Sequence, residues 1–387
     1  MDRDGRPALS RRSMLAGAVA AGVLAPAVAA SGVAAFSAAA GAEAASASAA
    51  AAGQTRQITL YAEPMPNSTL IGYGLEPGKP TIPGPLLEIY EGDTLEIELV
   101  NKTDQRLSIH PHGVNYDTNS DGAPFNGSFN NPRETRVYTW RTRTTYQRDG
   151  VYMPGSAGFW HYHDHALRGD HGTIGLLKGL YGGLIVRKRG DLLPDRQYTV
   201  VFNEQTINNK IAPDTPMFVA NQGERVEWIC IGHGNLLHTF HLHAHRWADT
   251  RTGMLASATD NTPVLDNKDL NPGGSFGFQV IAGEGVGPGA WMYHCHVQGH
   301  SDSGMSGVFL VRNPDGSMPP GAQAAIDRFQ GHEHTGMTTT EMKAMGAEPV
   351  PTGPHDGIAP IAPDNPSAKK VKKSQPTTTT TPHNGHK

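Results

Sequence analysis

Gly92-Asp93-Thr94-Leu95-Glu96-Ile97-Glu98-Leu99 sets Leu95, Ile97 and Leu99 against Thr94, Glu96 and Glu98. A period of two turns one apolar face to a core and one polar face to water, the pattern of a half-buried strand. Comparable runs recur at 198–203, 225–231, 276–281 and 307–312, and no long stretch carries a clean helical period. The 46 Gly and 29 Pro among 387 residues suit short strands joined by tight turns. An all-β, antiparallel fold is expected.

The same stretch is written twice. Gly92-Asp93-Thr94-Leu95-Glu96 resembles Gly223-Glu224-Arg225-Val226-Glu227, and eighteen residues after each glycine stands the first His of a His-x-His pair, His110/His112 and His241/His243. A second pair follows at His161/His163 and at His294/His296, after 51 and 53 residues. Each half closes on a matching strand, Gly182-Gly183-Leu184-Ile185-Val186-Arg187 and Gly307-Val308-Phe309-Leu310-Val311-Arg312. A duplicated β domain accounts for this repeat, with one copy over 54–190, the other over 191–313 and the boundary near 188–193.

The flanks read differently. Residues 1–53 hold Ser10-Arg11-Arg12-Ser13-Met14-Leu15 before an alanine-rich apolar run. Adjacent arginines ahead of a modest apolar region resemble a twin-arginine export signal; an ordinary secretory signal is the alternative, and either places the product outside the cytoplasm. No segment reaches the roughly 20 apolar residues of a membrane span, so no membrane anchor is expected. Residues 314–387 are rich in Pro, Thr, Gly and Lys, which predicts a largely disordered tail with one short helix around 322–329. The histidines at 332, 334, 355, 383 and 386 fall there, and adventitious metal binding is the most they suggest.

Charge and cysteine content narrow the classes further. With 32 Lys+Arg against 36 Asp+Glu the net charge is −4, which excludes the basic footprint of a nucleic-acid binder. Two cysteines make no disulfide scaffold, and nineteen histidines beside them point to metal. Cys230 continues an alternating strand and reads as a buried thiol.

Cys295, His300 and Met305 form a Cys-x4-His-x4-Met loop, with His238 upstream. One thiolate, two imidazoles and a weak thioether are the donors of a blue-copper electron-transfer site. Buried packing explains a lone Cys or Met, but not histidines on both sides of the cysteine. Successive strand side chains alternate faces, so a Cys295 turned to its own metal sends His294 and His296 to a second site. The eight paired imidazoles (His110, His112, His161, His163, His241, His243, His294 and His296) suit three further coppers with open positions for oxygen. Reducing dioxygen to two waters takes four electrons, and one blue copper plus three others holds four. The first half sets Tyr162 between its paired histidines and Leu180 where the second has Met305, so only the second half can hold a thiolate centre.

His110-Pro111-His112-Gly113, Trp160-His161-Tyr162-His163, His238-Thr239-Phe240-His241-Leu242-His243 and His294-Cys295-His296 with His300 and Met305 resemble the four copper signatures of multicopper oxidases. With two domains, the chain is most similar to the two-domain bacterial laccases, over roughly 55–313. The resemblance implies two cupredoxin-like Greek-key domains and four coppers per chain. On it, His110 and His241 hold the type 2 copper. His112, His161, His163, His243, His294 and His296 hold the type 3 pair, and His238, Cys295, His300 and Met305 the type 1 copper. It also implies a homotrimer whose trinuclear clusters lie between neighbouring chains. Asp121 matches a proton-donating acid of this family or is a turn residue; Tyr116 matches a tyrosine that serves as a local reductant or is packed. His165, His171, His233 and His245 fall outside the pattern and suit supporting or surface roles.

The expected function is laccase-type. Phenols or aromatic amines give single electrons near an accessible edge of His300 or His238, and the electrons pass through Cys295 to the cluster that reduces dioxygen to water. The alternatives are a cuprous-ion oxidase, which usually carries Met-rich segments where the 12 Met here are scattered, and a non-catalytic copper-binding or electron-carrying protein. A copper nitrite reductase would need one copper on about three histidines rather than eight.

Overall fold

The computed structural model describes residues 53–332. In the strand Thr94–Asn101, Leu95, Ile97 and Leu99 are buried while Thr94, Glu96 and Glu98 are not, as their alternation requires. Gly92 and its repeat Gly223 both turn at a φ of 92°, a left-handed conformation that favours glycine.

The strands pack as two sandwiches of two sheets each. In the first, the sheet of Ile71–Gly74, Thr55–Pro64, Thr94–Asn101 and Thr135–Arg141 faces that of Gly84–Tyr90, Tyr181–Arg187, Gly158–His163 and His110–Pro111. In the second, Thr206–Ile207, Arg196–Asn203, Arg225–His233 and Ser275–Ile281 face a five-stranded sheet of Phe218–Asn221, Ser306–Arg312, Gly289–Cys295, His238–Leu242 and Asn267–Leu270. The sheets are mixed rather than purely antiparallel. Thr55–Pro64 runs parallel to Thr94–Asn101, and Arg196–Asn203 to Arg225–His233. Between each such pair the chain crosses to the opposite sheet, so it re-enters beside its starting strand in the same direction.

The two sandwiches meet through one sheet from each. Arg225–His233 is buried along nearly all its length because both its faces are covered. Val226, Trp228 and Cys230 enter the core of the second sandwich; Ile229 and Ile231 meet Phe159, Tyr181 and Ile185 of the first. Beside this apolar contact lies a buried ionic one. Arg187 donates to both carboxylate oxygens of Glu227, at 3.0 and 2.6 Å, and to Glu88 at 2.8 Å.

The folded body extends past the expected tail boundary at 314. A helix over Ala322–Gly331 buries Ala322 and Ile326 against Val308 and Leu310, enough apolar area to order a segment that composition reads as polar. Among the described residues no helix is long and apolar enough to cross a membrane. The Arg11-Arg12 export signal, and the tail histidines at 334, 355, 383 and 386, lie outside the described residues.

Candidate metal centre

The strand Gly289–Cys295 ends at Cys295, the short helix Gln298–Asp302 carries His300, and Met305 immediately precedes the strand Ser306–Arg312. The loop is tied to itself: Cys295 N–H donates to the Met305 carbonyl and Met305 N–H to that of His300, each at 3.0 Å. His238 opens the neighbouring strand. These placements set Cys295 Sγ 3.7 Å from Nδ1 of both His238 and His300, in a core that also buries Met305. Burial pushes the Cys295 thiol up and lowers His238 to about 3, with the neighbouring His300 adding to the effect. Of the two imidazoles expected to offer an accessible edge, His238 is fully covered, and only His300 keeps a slight exposure of 5%.

His294 points away from this sulfur. Its ring lies 5.2 Å from those of His241 and His243 and 5.4 Å from that of His296, with His294 and His243 Nε2 atoms 3.1 Å apart. The alternation expected for His294-Cys295-His296 is therefore present. Nδ1 of His241 and of His294 each sits 2.7 Å from a backbone carbonyl, of Asp266 and Cys295 respectively. That contact protonates Nδ1 and leaves Nε2 as the free donor atom.

The first half repeats this arrangement in a register that the sequence pairing misses by two residues. His110 pairs with His163 across its sheet as His241 pairs with His294. His163 Nδ1 lies 2.7 Å from the Asp164 carbonyl as His294 Nδ1 does from that of Cys295. Tyr162 and Tyr293 lie over Gly182 and Gly307 and donate to the carbonyls of Pro85 and Pro216. A constant offset of 131 residues thus relates His110, His112, His163 and His165 to His241, His243, His294 and His296. His161 corresponds to Met292, and the residue in the thiolate's place is Asp164, not Tyr162. Asp164 N–H donates to the Leu180 carbonyl as Cys295 N–H does to that of Met305, which confirms Leu180 as the counterpart of Met305. Asp164 accepts backbone N–H groups from Ser108, Ala166 and Leu167, and burial raises it to about 6. The signal was legible: His112 to His163 and His243 to His294 both span 51 residues.

His110, His112 and His163 place donor atoms within 4.8 Å of one another, as do His241, His243 and His294, and as do His238, Cys295 and His300. Three groups of soft and borderline donors, two of them ending one strand on opposite sides, form a copper-type constellation. Family models described as multicopper oxidase match residues 79–191 and 191–315. The chain belongs to the multicopper oxidase family. It is 33% identical over 264 residues to a "Probable nitrite reductase-hydroxylamine oxidoreductase fusion protein" of Kuenenia stuttgartiensis, covering 62% of this chain and 28% of that protein. It is 27% identical over 275 residues to hephaestin of Rattus norvegicus, covering 59% and 22%. This chain therefore spans about a quarter of the length of these curated relatives. A solved multicopper oxidase, mgLAC, superposes with a TM-score of 0.51 at 18% identity, covering 69% of this chain and 89% of that one, and shares its fold. Both sandwiches are cupredoxin domains, and the protein is an oxidoreductase whose family cofactor is copper.

The residues fit that metal. Burial lowers His112 to about 4, with His110 adding to it, and His294 to about 4, so the rings are neutral donors near pH 7. Nδ1 of His238 and of His300 both face Cys295 Sγ, and Nε2 of His112 and of His163 face each other at 3.2 Å, so the donor atoms converge as ligation requires. Asp121 stands beside the first group, its backbone oxygen 2.5 Å and its carboxylate 3.4 Å from His110 Nδ1. Tyr116 packs edge-on to His110 at 5.7 Å and stays 37% exposed.

The four histidines outside the expected pattern separate into distinct roles. In this oxidase His245 donates from Nδ1 to the His243 carbonyl and accepts the Gly283 N–H at Nε2, which holds the His243 backbone. His165 lies 5.1 Å from His110 and 5.7 Å from His163, as its register with His296 requires; His171 is an exposed neighbour of it. His233 reaches from the second domain into the first group, which no spacing in the sequence indicates. Cys230 is a free buried thiol.

Proposed function

We propose that this multicopper oxidase is a laccase-type enzyme that oxidises phenols or aromatic amines one electron at a time and reduces dioxygen to water. The observation that carries the reading is the split at residues 294–296: the sulfur turns to His238 and His300, while His294 turns to His241 and His243. His238, Cys295, His300 and Met305 would hold a type 1 copper. His110 and His241 would hold a type 2 copper, and His112, His163, His165, His243, His294 and His296 a type 3 pair, for four coppers in all; His165 takes the place that the sequence spacing gave to His161, because it and not His161 stands in register with His296. Bound there, copper would supply one-electron acceptance at the thiolate, and that electron together with three held at the imidazoles would make up the four that dioxygen needs. The chain supplies the connection, since a single peptide bond joins Cys295 to each of His294 and His296. Met305 and the apolar core around it exclude water from the sulfur. Asp121 stands where a carboxyl can pass protons beside His110, and Tyr116 where a phenol can give up an electron to the same group.

The second half of the proposal is assembly. Among the described residues no ring of His110, His112, His161 or His163 touches a ring of His241, His243, His294 or His296, so one chain offers two half-clusters. His296 is exposed, and His110, His112, His241 and His243 are only partly buried. A head-to-tail homotrimer would join one chain's first group to its neighbour's second and close the ring. The enzyme would act outside the cytoplasm, on the evidence of Arg11-Arg12 in the sequence; cell fractionation with and without those arginines tests it.

The deciding measurement is oxygen uptake by copper-loaded protein with a simple phenol, beside the same protein carrying Cys295→Ser. Loss of the blue absorption and of phenol-dependent oxygen uptake, with three coppers per chain retained, is expected. Phenol oxidation that survives the substitution refutes the route through sulfur. The name of the Kuenenia relative raises nitrite reduction as a second reading, and nitrite consumption without oxygen uptake would favour it; four imidazoles in each half exceed what its single copper needs.

A further inference from the structure

We infer that Asp164 is a positioning residue for the first histidine group: its carboxylate does for His163 and His165 what the metal-bound thiolate does for His294 and His296 in the second domain. The inference rests on the copper reading above. Asp164 stands between the two histidines and is fully buried, while their rings, 5.7 Å apart, turn to the other side of the segment. Its carbonyl lies 2.7 Å from His163 Nδ1, which leaves Nε2 of that ring facing Nε2 of His112 at 3.2 Å.

The repeat shows what the carboxylate replaces. His165 N–H donates to Ser108 Oγ at 3.0 Å, as His296 N–H does to Thr239 Oγ1 at 3.2 Å, and each residue stands 131 before its counterpart. In the second domain the backbone N–H groups of Thr239 and Val297 face the Cys295 sulfur. Their counterparts, those of Ser108 and Ala166, donate to Asp164 Oδ1 at 2.7 Å and to Oδ2 at 3.2 Å, and Leu167 N–H adds a third bond to Oδ2 at 2.8 Å. Leu107 and Leu180 occupy the places of His238 and Met305, so the first domain lacks the donors that would let a metal gather this loop. The carboxylate gathers it instead, since N–H bonds to an anion are shorter and about twice as strong as neutral ones. Gly175 lets the short helix Thr173–Lys178 lie directly on it: a Cβ there would come within 2.2 Å of Asp164 Oδ2. Arg106 Nε also holds the loop, donating to the Ala166 carbonyl at 3.2 Å. The segment that carries both imidazoles is thus fixed before any metal arrives.

Copper-loaded full-length protein carrying Asp164→Asn or Asp164→Val tests this, with Ser108→Ala beside them. Asn keeps the shape of the side chain, but its amide N–H groups meet backbone donors whichever way it turns; Val keeps the bulk and accepts nothing. Ser108→Ala removes only the hydroxyl that holds His165. Copper retained per chain after dialysis against graded chelator is the first readout, with the blue absorption of the thiolate site and the tryptophan fluorescence melt as controls for folding. Both Asp164 variants are expected to weaken retention of the non-blue copper by about 10–100-fold with the blue band intact, and Ser108→Ala to weaken it less. The second readout is the fraction of copper detected by electron-spin resonance. Two cupric ions held close together cancel each other's signal, so displaced imidazoles should raise that fraction in Asp164→Asn. Parental retention in Asp164→Asn, or copper loss there with an unchanged spin-detected fraction, overturns the assignment. If both Asp164 variants unfold, Ser108→Ala decides, and parental retention in it is the refuting result. Failure of the copper reading would appear separately, as a parent protein with no copper to lose.

Discussion

Arg187→Met should lower the melting temperature of the copper-loaded protein by roughly 6–20 °C while leaving its blue absorption unchanged at room temperature. Arg187 is 1% exposed and Glu227 is fully buried, so the substitution strands a carboxylate with no cation. Glu227 would keep two amide donors, Gln197 and Gln279, each at 3.0 Å. Glu88 is spared because its side chain is 31% exposed and can rehydrate. Stranding one partner of a buried pair costs about 3–5 kcal/mol, and each kcal/mol moves the midpoint of a domain this large by about 2–4 °C. Adding Glu227→Leu removes the stranded charge and should recover most of the loss, since apolar replacement of a whole buried pair is often neutral. Thermal melts of the single and double variants, followed by tryptophan fluorescence and by the blue band, supply the comparison. A single variant that melts with the parent, or a double variant no better than the single, refutes the claim that this ion pair clamps the two domains.

Asp121→Asn should leave the blue band intact and slow oxygen-dependent reoxidation of the reduced enzyme by about 10²-fold, read by stopped-flow absorbance; an unchanged rate removes Asp121 from proton delivery. His110→Ala should likewise keep the blue band and abolish oxygen uptake, and sustained uptake would count against the cluster. Metal-free protein should lose stability as pH falls below about 6.5. His161 and His163 are held well below that value, and His233 and His238 at about 3, chiefly by burial. The unfolded chain therefore takes up protons that the folded one refuses, which costs about 1.4 kcal/mol per pH unit for each ring. Asp164, raised to about 6, works in the opposite sense: its contribution is full below about 4 and fades as pH rises through 6, too small alone to cancel four rings. Urea titrations of apoprotein at pH 7 and pH 5 test the slope, and equal midpoints would contradict it.

The strand alternation at 94–99, the duplicated glycine turns and the facing of Cys295 against His294 were all legible in the sequence, because each depends on neighbours along one extended segment. The parallel strand pairs were not, since direction depends on which sheet the chain visits between two strands. The register of the repeat was half legible: equal spacings of 51 residues stood in the chain, but matching one His-x-His pair to the next hid His165 behind His161. Asp164 in the thiolate's place emerged only from backbone pairing, and the packing of the helix expected around 322–329 onto Val308 and Leu310 only from apolar contact.

Sequence alone therefore determined the donor chemistry: which sulfur, imidazoles and thioether are present, and which of them a single strand must separate. Tertiary structure decided what surrounds them. It sealed His238 from solvent, left the two histidine groups of one chain apart, and brought His233 across the domain interface to His161. Side-chain type and alternation are fixed by covalent order, whereas burial and cross-domain contact are fixed by packing between segments far apart in the chain.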